Sequence, residues 1–386
     1  MTADELRRQV VACGRELIRA PSPSGEEGAA AEVVRRWMER LGFDRVWTDE
    51  HGSVVGQIEG WASDGPALWF DGHLDTVPVA SPELWRHDPF GGEVENGALW
   101  GRGAADMKGA VAAMLLAAAS IPRGRITGSV TVSASVAEER LEGAALAALI
   151  EDRPPDFLVI GEGTRNRVGI GQKGRAGIRV TSRGLCAHSS TPAAGRNAVY
   201  AMVAAINKFR SVPLPEDPLL GPALLELTEI VSEPRPSSGL VPDGCTTRWD
   251  RRLVRGETAD SILATLNAAV EDVEGTTVEL EEARFPSYTG STLTLPADVH
   301  VAWDTPAESP LVRAAAAAVG DAGGEADAIV LPYCTNGSVA AARGVPTIIL
   351  GPTDPTLFHV VDEHALIADL VLGVQIYRLL ALDLLQ

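Results

Sequence analysis

Basic residues are scarce in this 386-residue chain, and lysine is almost absent. The chain has 33 Lys and Arg against 52 Asp and Glu, which gives a formal net charge of −19. Lysine occurs only at Lys108, Lys173 and Lys208. A surface this acidic repels phosphate backbones and anionic lipid headgroups. We therefore expect neither a nucleic acid nor a membrane as a partner.

Cysteine and long apolar runs are also scarce. The four cysteines, Cys13, Cys186, Cys245 and Cys334, form no CxxC pair, and their spacing gives no disulfide framework. The longest apolar run, 110–119, is about half of the ~20 residues that a membrane-spanning helix needs. The start, MTADELRRQVVACGREL, lacks the basic and then apolar segments of a signal peptide. These features predict a reduced protein in the cytoplasm.

The order of predicted elements indicates an α/β fold. Hydrophobic residues make up 45% and charged residues 22% of the chain, as in globular proteins, and the length fits two domains. Two amphipathic helices open the chain, and strands then alternate with helices, which predicts a mostly parallel sheet with helices on both faces. The predicted strands are 67–70, 129–136, 157–160, 328–331 and 347–350, and the predicted helices are 4–20, 25–41, 107–120, 142–151, 309–320 and 363–381.

A second pattern interrupts the first. Between residues 176 and 283 the predicted order is strand, helix, two strands, helix and strand, which is the order of the split ferredoxin-like α+β unit. Its strands are 176–182, 224–232, 245–253 and 276–283, and its helices are 195–210 and 257–272. We therefore expect an α/β domain made of residues 1–174 and 289–386, with an inserted domain at 175–288.

Histidine and carboxylate residues follow the predicted strands. His73 and Asp75 come directly after the first strand, and alternate residues of an extended segment point the same way. A lone histidine is more often structural than a ligand, but a histidine beside a carboxylate suits a metal ligand that the carboxylate orients. At the carboxyl end of a strand, the pair would lie where open α/β sheets bind ligands.

Further acidic and histidine residues occupy other strand ends or helix starts, namely Asp106, Glu138, Glu139, Glu162 and His359. Each has an ordinary explanation when it is taken singly. Asp106 would cap the helix that follows it, and the glutamate pair would lie in a solvated loop. However, adjacent carboxylates at the end of an apolar strand are costly unless a cation lies beside them. Four strand ends that all present histidine or carboxylate are hard to attribute to chance.

Taken in order, these motifs resemble the metallopeptidase M20 family. They are GHLDTVP (72–78), GRGAADMKG (101–109), the glutamate pair, IGEGT (160–164) and a late H-x-x-D-E (359–363), and together they span nearly the whole chain. The family includes acetylornithine deacetylase, succinyl-diaminopimelate desuccinylase, aminoacylase-1 and the glutamate carboxypeptidases. The segments around Cys245, Phe285 and Cys334 look most like the branch of selenium-metabolism-linked hydrolases, which has no settled substrate. The resemblance implies a di-zinc α/β domain with an inserted lid or dimerisation domain.

The same resemblance implies a role for each side chain. Carboxylate-rich ligands with only two histidines suit Zn²⁺ and also admit Co²⁺ or Mn²⁺. Two such ions activate a water molecule and polarise the scissile carbonyl group. The implied assignments are Asp106 as the bridge between two zinc ions, His73 and Glu162 as further ligands of one ion, Glu139 and His359 as further ligands of the other, Asp75 as the carboxylate that orients His73, and Glu138 as the general base.

Glu162 bears on the substrate by the same resemblance. Glutamate at this position goes with deacylases and carboxypeptidase-like enzymes, whereas aspartate goes with aminopeptidases. We therefore expect hydrolysis of the amide bond of an N-acyl amino acid or a related small, carboxylate-bearing substrate. One alternative is a metal-dependent dipeptidase or aminopeptidase, which would require a free amine. The other is a binding protein without activity, and the presence of every ligand and of Glu138 argues against it.

Other candidates lie in the inserted domain and near the last strands. The resemblance implies that His188 reaches across a homodimer interface to the oxyanion, although ordinary hydrogen bonding before a helix is an alternative. Arg252 would bind the substrate carboxylate or form a salt bridge within the lid. Thr335 and Asn336 would contact substrate or cap the following helix. Gly239 falls where many deacylases have asparagine, so that substrate contact is missing or is made by another residue.

Overall fold

A computed structural model describes residues 2–151, 153–236 and 239–386 of the chain. In chain order the strands are β1 (Arg45–Thr48), β2 (Val54–Glu59), β3 (Ala67–His73), β4 (Glu93–Glu95), β5 (Ala98–Trp100), β6 (Ser129–Ser135), β7 (Phe157–Ile160), β8 (Val168–Gln172), β9 (Gly174–Arg183), β10 (Glu216–Asp217), β11 (Gly221–Pro222), β12 (Leu224–Glu233), β13 (Gly244–Leu253), β14 (Thr276–Leu280), β15 (Ala283–Pro286), β16 (Thr292–Leu295), β17 (Val299–His300), β18 (Trp303–Asp304), β19 (Ala328–Leu331), β20 (Thr347–Ile349) and β21 (His364–Leu366). The helices are α1 (Ala3–Ile18), α2 (Gly28–Leu41), α3 (Gly109–Ala119), α4 (Ala144–Leu149), α5 (Ala198–Phe209), α6 (Ala259–Val270), α7 (Pro310–Asp321), α8 (Gly337–Ala341) and α9 (Ile367–Leu384).

The largest sheet has the strand order β1-β2-β6-β3-β7-β20-β8-β18, and β19 pairs with β8. Its central strands β6, β3, β7 and β20 run parallel. The outer pairs β1–β2, β2–β6 and β18–β8 are antiparallel. The predicted α/β class is confirmed, and the sheet is mixed with a parallel centre. The antiparallel β1–β2 pair follows from its short connection, because parallel neighbours need a longer crossover.

A second sheet has the order β12-β13-β9-β14, and all of its pairs are antiparallel. Together with α5 and α6 it gives the predicted β-α-β-β-α-β order of a ferredoxin-like unit. The two helices and the sheet bury a separate apolar cluster that includes Ile178, Met202, Phe209 and Trp249. The short strand β17 also pairs with β9. The domain limits at residues 174 and 289 stay a prediction.

The alanine-rich run predicted as a helix becomes α3, the central helix of the large domain. Its side chains are buried on every side, and it packs against α1, α2 and α9 as well as the sheet. A helix that is apolar all round is expected in such a position. In the part of the chain that the structure describes, no helix has the length and apolarity to cross a lipid bilayer.

Candidate metal centre

The ends of three neighbouring parallel strands meet at one edge of the large sheet. His73 is the last residue of β3, Glu138 and Glu139 follow β6, and Glu162 follows β7. Parallel strands that lie side by side bring their carboxyl ends together, which is where ligands bind in open α/β sheets. The hydrophobic strands therefore place all four side chains at one edge, as the sequence predicts.

Asp106 lies between two histidines that come from opposite ends of the chain. Its Oδ1 is 3.1 Å from Nε2 of His73, and its Oδ2 is 3.1 Å from Nε2 of His359. Each histidine has a second carboxylate partner, because Nε2 of His73 is 3.3 Å from Oε1 of Glu162 and Nε2 of His359 is 2.9 Å from Oε1 of Glu139. One carboxylate thus faces two separate histidine–glutamate pairs.

Asp75 is fully buried beneath this centre and holds several groups in place. Its carboxylate accepts hydrogen bonds from the backbone N–H groups of Glu138 and Glu139, at 2.9 and 3.0 Å, and from the hydroxyl of Ser24 at 2.7 Å. The Nδ1 atom of His73 is 2.9 Å from the backbone oxygen of Asp75 and 3.6 Å from its carboxylate. The carboxylate of Asp75 therefore holds the backbone of the glutamate pair, whereas the nearer partner of the imidazole is the backbone oxygen of Asp75, and the role of the carboxylate in orienting His73 stays a prediction.

Two further residues, Arg102 and Glu363, hold the backbone at Asp106 in place. The Oε1 atom of Glu363 accepts hydrogen bonds from the backbone N–H groups of Ala105 and Asp106, at 2.8 and 3.0 Å. Its Oε2 atom pairs with Nη1 of Arg102 at 2.6 Å, and both side chains are buried. Arg102 lies in the motif at 101–109 and Glu363 in the motif at 359–363, but the sequence predicted no role for either residue. The only arginine of one motif and one of the two adjacent acids of the other were the available signal.

The carboxylates of this centre shift one another's pKa values. Burial raises the pKa of Glu162 to about 7, and the Asp106 carboxylate adds to the rise. Burial also raises the pKa of Glu138 well above its ordinary value, as do the carboxylates of Glu142, Glu162 and Glu139. A rise in its pKa towards the working pH suits a carboxyl group for proton transfer, because the group can then both accept and release a proton.

The neighbouring carboxylates also raise the pKa values of the two histidines. Hydrogen bonds to Asp106 and Glu139 raise the pKa of His359 to about 10. Burial opposes protonation of His73, but Asp106, Asp75 and Glu162 together raise its pKa well above the ordinary value. Burial also acts to raise the pKa of Asp106, but hydrogen bonds from both histidines outweigh it and lower that pKa to about 2. The negative charge of the carboxylates thus favours positively charged groups in the centre, here the protonated histidines.

This donor set fits divalent metal ions. Ligand atoms of His73, Glu138 and Glu162 lie within 4.8 Å of one another, and so do those of His73, Asp106 and Glu139. Buried carboxylates in such numbers are costly unless cations balance them. Imidazole and carboxylate ligands suit Zn²⁺ and its first-row neighbours.

A cleft of about 460 Å³ opens in front of the centre. The cleft is lined by carboxylates of the centre and by three arginines, Arg140, Arg175 and Arg252. Arg252 also forms an ion pair with Asp250 at 2.7 Å, which is one of the two roles expected from the sequence, and binding of a substrate carboxylate by Arg252 stays a prediction. Tyr333 lies at the wall of the cleft and its hydroxyl donates to the backbone oxygen of Gly163 at 3.3 Å.

The remaining predicted residues lie elsewhere. His188 is exposed, and its Nδ1 is 2.7 Å from the hydroxyl of Ser190. Thr335 and Asn336 are buried in hydrogen-bond networks: Thr335 donates to Oε1 of Gln172 at 2.7 Å, and Asn336 accepts the Gly143 N–H at 2.7 Å. The hydroxyl of Thr335 also accepts the N–H of the first residue of α8, at 3.1 Å. The structure does not bring these three residues to the Asp106 centre.

The segment 237–245, in which Gly239 falls where many deacylases have asparagine, is described only from Gly239 onward, because Ser237 and Ser238 lie outside the described residues. Gly239 has a φ of 67°, in the left-handed region that favours glycine. Its carbonyl accepts the Ser189 N–H at 2.8 Å.

Sequence comparisons agree with this arrangement. The family described as Peptidase family M20/M25/M40 matches residues 69–383. The uncharacterized protein YgeY of Escherichia coli (strain K12) is 30% identical over 381 residues, which cover 96% of this chain and 93% of that protein. A succinyl-diaminopimelate desuccinylase of Acidiphilium cryptum (strain JF-5) is 31% identical, over 67% of this chain and 72% of its own.

Solved structures share the fold. Aminopeptidase PepT of Bacillus cereus superposes with a TM-score of 0.76 at 17% identity and covers 98% of both chains. The YXEP protein of Bacillus subtilis, a dinuclear metal-binding peptidase of the M20 family, superposes with a TM-score of 0.70 at 15% identity, over 99% of both chains. The family match over most of the chain, with the likeness to YgeY, shows that this protein belongs to the peptidase family M20/M25/M40, and it is accordingly a hydrolase of amide or peptide bonds.

Proposed function

We propose that this hydrolase uses two divalent metal ions to remove an N-acyl group from a small substrate that carries a carboxylate. The observation that carries the proposal is Asp106, whose two oxygens each face a separate histidine–glutamate pair. A carboxylate in this position would bridge two ions. His73 and Glu162 would complete one site, and Glu139 and His359 the other.

The ions, when bound, would supply the Lewis acidity that activates water and polarises the scissile carbonyl group. We assign them as Zn²⁺, with Co²⁺ or Mn²⁺ as substitutes that the same ligands accept. Asp75 keeps the imidazole of His73 and the backbone of the glutamate pair in place.

Glu138 would be the general base. It lines the cleft beside Glu162, and its carboxylate belongs to the group of ligand atoms around His73. Burial raises its pKa well above the ordinary value, which favours acceptance of a proton from the attacking water. The same carboxyl group would then give that proton to the nitrogen of the departing amine, so that the glutamate returns to its starting state.

The arginines of the cleft support a substrate that bears a carboxylate. Arg252 and Arg175 share Asp250 as an ion-pair partner, at 2.7 and 3.2 Å. Arg140 forms no ion pair among the described residues and lies 5.8 Å from the ring of Phe285. Guanidinium groups bind carboxylates with two parallel hydrogen bonds. The relatives named succinyl-diaminopimelate desuccinylase agree with an N-acyl substrate of this class.

Several finer assignments belong to this proposal. His188 would act at the oxyanion of a second subunit in a homodimer formed through the inserted domain. Thr335 and Asn336 would shape the substrate site through the loop they anchor. The enzyme would work in the cytoplasm on an N-acyl amino acid or a dipeptide-like molecule.

A hydrolysis screen tests the proposal. Zinc-loaded protein is given N-acetyl, N-succinyl and N-formyl amino acids and, separately, dipeptides with free and blocked amines, with a chelated sample as control. We expect chelator-sensitive release from the N-acyl substrates. Cleavage only of dipeptides with a free amine would refute the deacylase assignment and favour the peptidase alternative.

A variant tests the role of Glu138. Glu138→Gln keeps the size of the side chain and removes its ability to accept a proton, so turnover should fall by about 10²–10⁴-fold while the metal content stays at the wild-type value. Glu26→Gln, which changes an exposed glutamate, is the matched control. Wild-type turnover in Glu138→Gln would remove Glu138 from the reaction.

A further inference from the structure

A second cluster of ligand-type side chains lies beside the cleft. It consists of Glu142, His300 and Cys334, whose ligand atoms lie within 4.8 Å of one another. The three residues come from separate parts of the chain: the turn before α4, the end of β17 and the loop between β19 and α8. None of them belongs to the group around Asp106. Carboxylate, imidazole and thiolate are the three side-chain ligand types of zinc sites.

His300 is already oriented as a metal-binding histidine would be. It is buried, and its Nε2 is 3.0 Å from Oδ1 of Asp298, whose Oδ2 is 3.2 Å from Nη1 of Arg175. The other ring nitrogen, Nδ1, faces Gly143, the residue next to Glu142: a Cβ placed on that glycine would lie 3.7 Å from it. Histidines that bind metals commonly donate their second N–H to a carboxylate in this way.

Glu142 contributes an oxygen without a protein partner. Its Oε1 is shielded from solvent and has no hydrogen-bond partner among the described residues. A buried carboxylate oxygen without a partner destabilises the fold, so a native structure normally supplies one. A bound cation would be that partner.

Cys334 contributes sulfur at the same place. Its Sγ accepts the amide N–H of Gln172 at 3.2 Å and lies 3.1 Å from the hydroxyl of Ser338. Burial raises the pKa of the thiol well above its ordinary value, and the Glu142 carboxylate adds to the rise. A metal ion removes this conflict, because it binds the thiolate and the carboxylate together and releases the thiol proton to solvent.

We infer that Glu142, His300 and Cys334 form a third metal site, separate from the pair around Asp106, for Zn²⁺ or a metal of similar affinity for sulfur and nitrogen. Thiolate and imidazole ligands select such metals over Mg²⁺ and Ca²⁺. Glu142 and Cys334 also line the cleft. Three protein ligands leave a fourth position open, as in zinc sites that bind water or substrate, and here that position would face the cleft.

Metal counting and X-ray absorption test this site. Chelated full-length protein is reloaded with Zn²⁺, freed of excess metal and analysed for zinc content and for sulfur around the zinc. We expect three ions per chain and a Zn–S contact of about 2.3 Å. Cys334→Ser should bind two ions and lose the Zn–S contact. Cys186→Ser, which changes an exposed cysteine, is the matched control and should keep both.

Further variants keep the outcomes distinct. His300→Gln should also lose one ion, so the test does not depend on a single cysteine variant. In addition, Co²⁺-loaded wild-type protein should show a thiolate-to-metal absorption band that Cys334→Ser lacks. Asp106→Asn should lose the paired ions and keep the Zn–S contact. Two ions without a Zn–S contact in the wild type would overturn the third site while leaving the proposed hydrolysis intact. Loss of the Zn–S contact in Cys186→Ser would likewise overturn it.

Discussion

Two neighbouring acids near the end of the chain form ion pairs of equal length in different surroundings. Nε of Arg86 is 2.6 Å from Oδ2 of Asp362, and Nη1 of Arg102 is 2.6 Å from Oε2 of Glu363. The side chain of Arg86 is 77% exposed, whereas that of Arg102 is 2% exposed and that of Glu363 is fully buried. The distances are the same, so a difference in energy between the pairs must come from burial.

We predict that Arg102→Met destabilises the protein far more than Arg86→Met. Removal of one partner of a buried pair leaves a charge without compensation and costs about 3–5 kcal/mol. Exposed pairs contribute about 0.2–1 kcal/mol because water and salt screen them. In addition, Asp362 keeps a hydrogen bond from the backbone N–H of residue 86 after the change, at 2.8 Å. The expected ratio of the two losses is therefore at least threefold.

The pH dependence of this loss follows from Glu363. Burial raises its pKa to about 7, although Arg102 acts to lower it. An acid whose folded-state pKa is raised favours folding when it is protonated, so its contribution to stability falls as the pH rises from 4.5 to about 7. Without Arg102 the pKa rises further and the fall continues above pH 7. The stability difference between Arg102→Met and wild type should accordingly be larger at pH 8 than at pH 6.

Urea unfolding of chelator-treated protein at both pH values measures these free energies without a contribution from bound metal. The double variant Arg102→Met/Glu363→Gln completes the cycle, because removal of both charges should recover part of the loss. Equal losses for Arg86→Met and Arg102→Met, or the same loss at both pH values, would refute the reasoning from burial.

Three further predictions concern other charged groups. Asp75→Asn should weaken metal binding by about 10–100-fold, measured by calorimetry, because the Asp75 carboxylate holds the backbone of the glutamate pair, and unchanged affinity would show that this carboxylate does not support the metal centre. Because burial raises the pKa of Glu162 to about 7, metal binding at pH 6 should release protons, and calorimetry in two buffers of different ionisation enthalpy should detect them. Hydrogen bonds from Arg255 lower the pKa of Asp217 to about 2, so this pair stabilises the fold above pH 3.8 and loses that contribution as the pH falls towards 2. Arg255→Met should therefore unfold at a higher pH during acid titration, and an unchanged acid midpoint would contradict this.

Most of the fold could be predicted because the hydrophobic pattern within each short segment agrees with the helix or strand that the segment forms. The strand at 157–160 and the strand at 328–331 have the predicted limits, and the inserted unit has the predicted element order. Hydrophobic periodicity specifies such elements directly. The antiparallel edges of the large sheet could not be predicted in the same way, since strand direction depends on pairing between distant segments. The short strand β17 and its place beside β9 were missed for this reason.

The residues of the candidate sites likewise divide into those that a local sequence pattern predicts and those that it does not. His73 ends a strand, and Glu139 and Glu162 follow strands, so a local pattern leads to all three. Arg102 and Glu363 were missed because their roles depend on burial and on each other, and neither property is visible in a local sequence pattern. His300 followed no predicted strand, and no motif includes it. A residue whose role depends on three distant segments meeting can be found only in the folded chain.

The surroundings of the centre indicate how its charge is tolerated. Three carboxylates at the centre have clear donors within the protein: Asp75 binds two backbone N–H groups and a hydroxyl, Glu363 binds Arg102 and two backbone N–H groups, and Asp106 binds two histidines. Glu138 and Glu162 face the cleft instead, and burial raises both of their pKa values. Burial also raises the pKa of Glu363, but Glu138 and Glu162 are the electrostatically stressed carboxylates that metal and substrate would reach. It follows that metal loading should raise stability as well as activity, because the ions relieve the same stress that gives Glu138 its affinity for a proton.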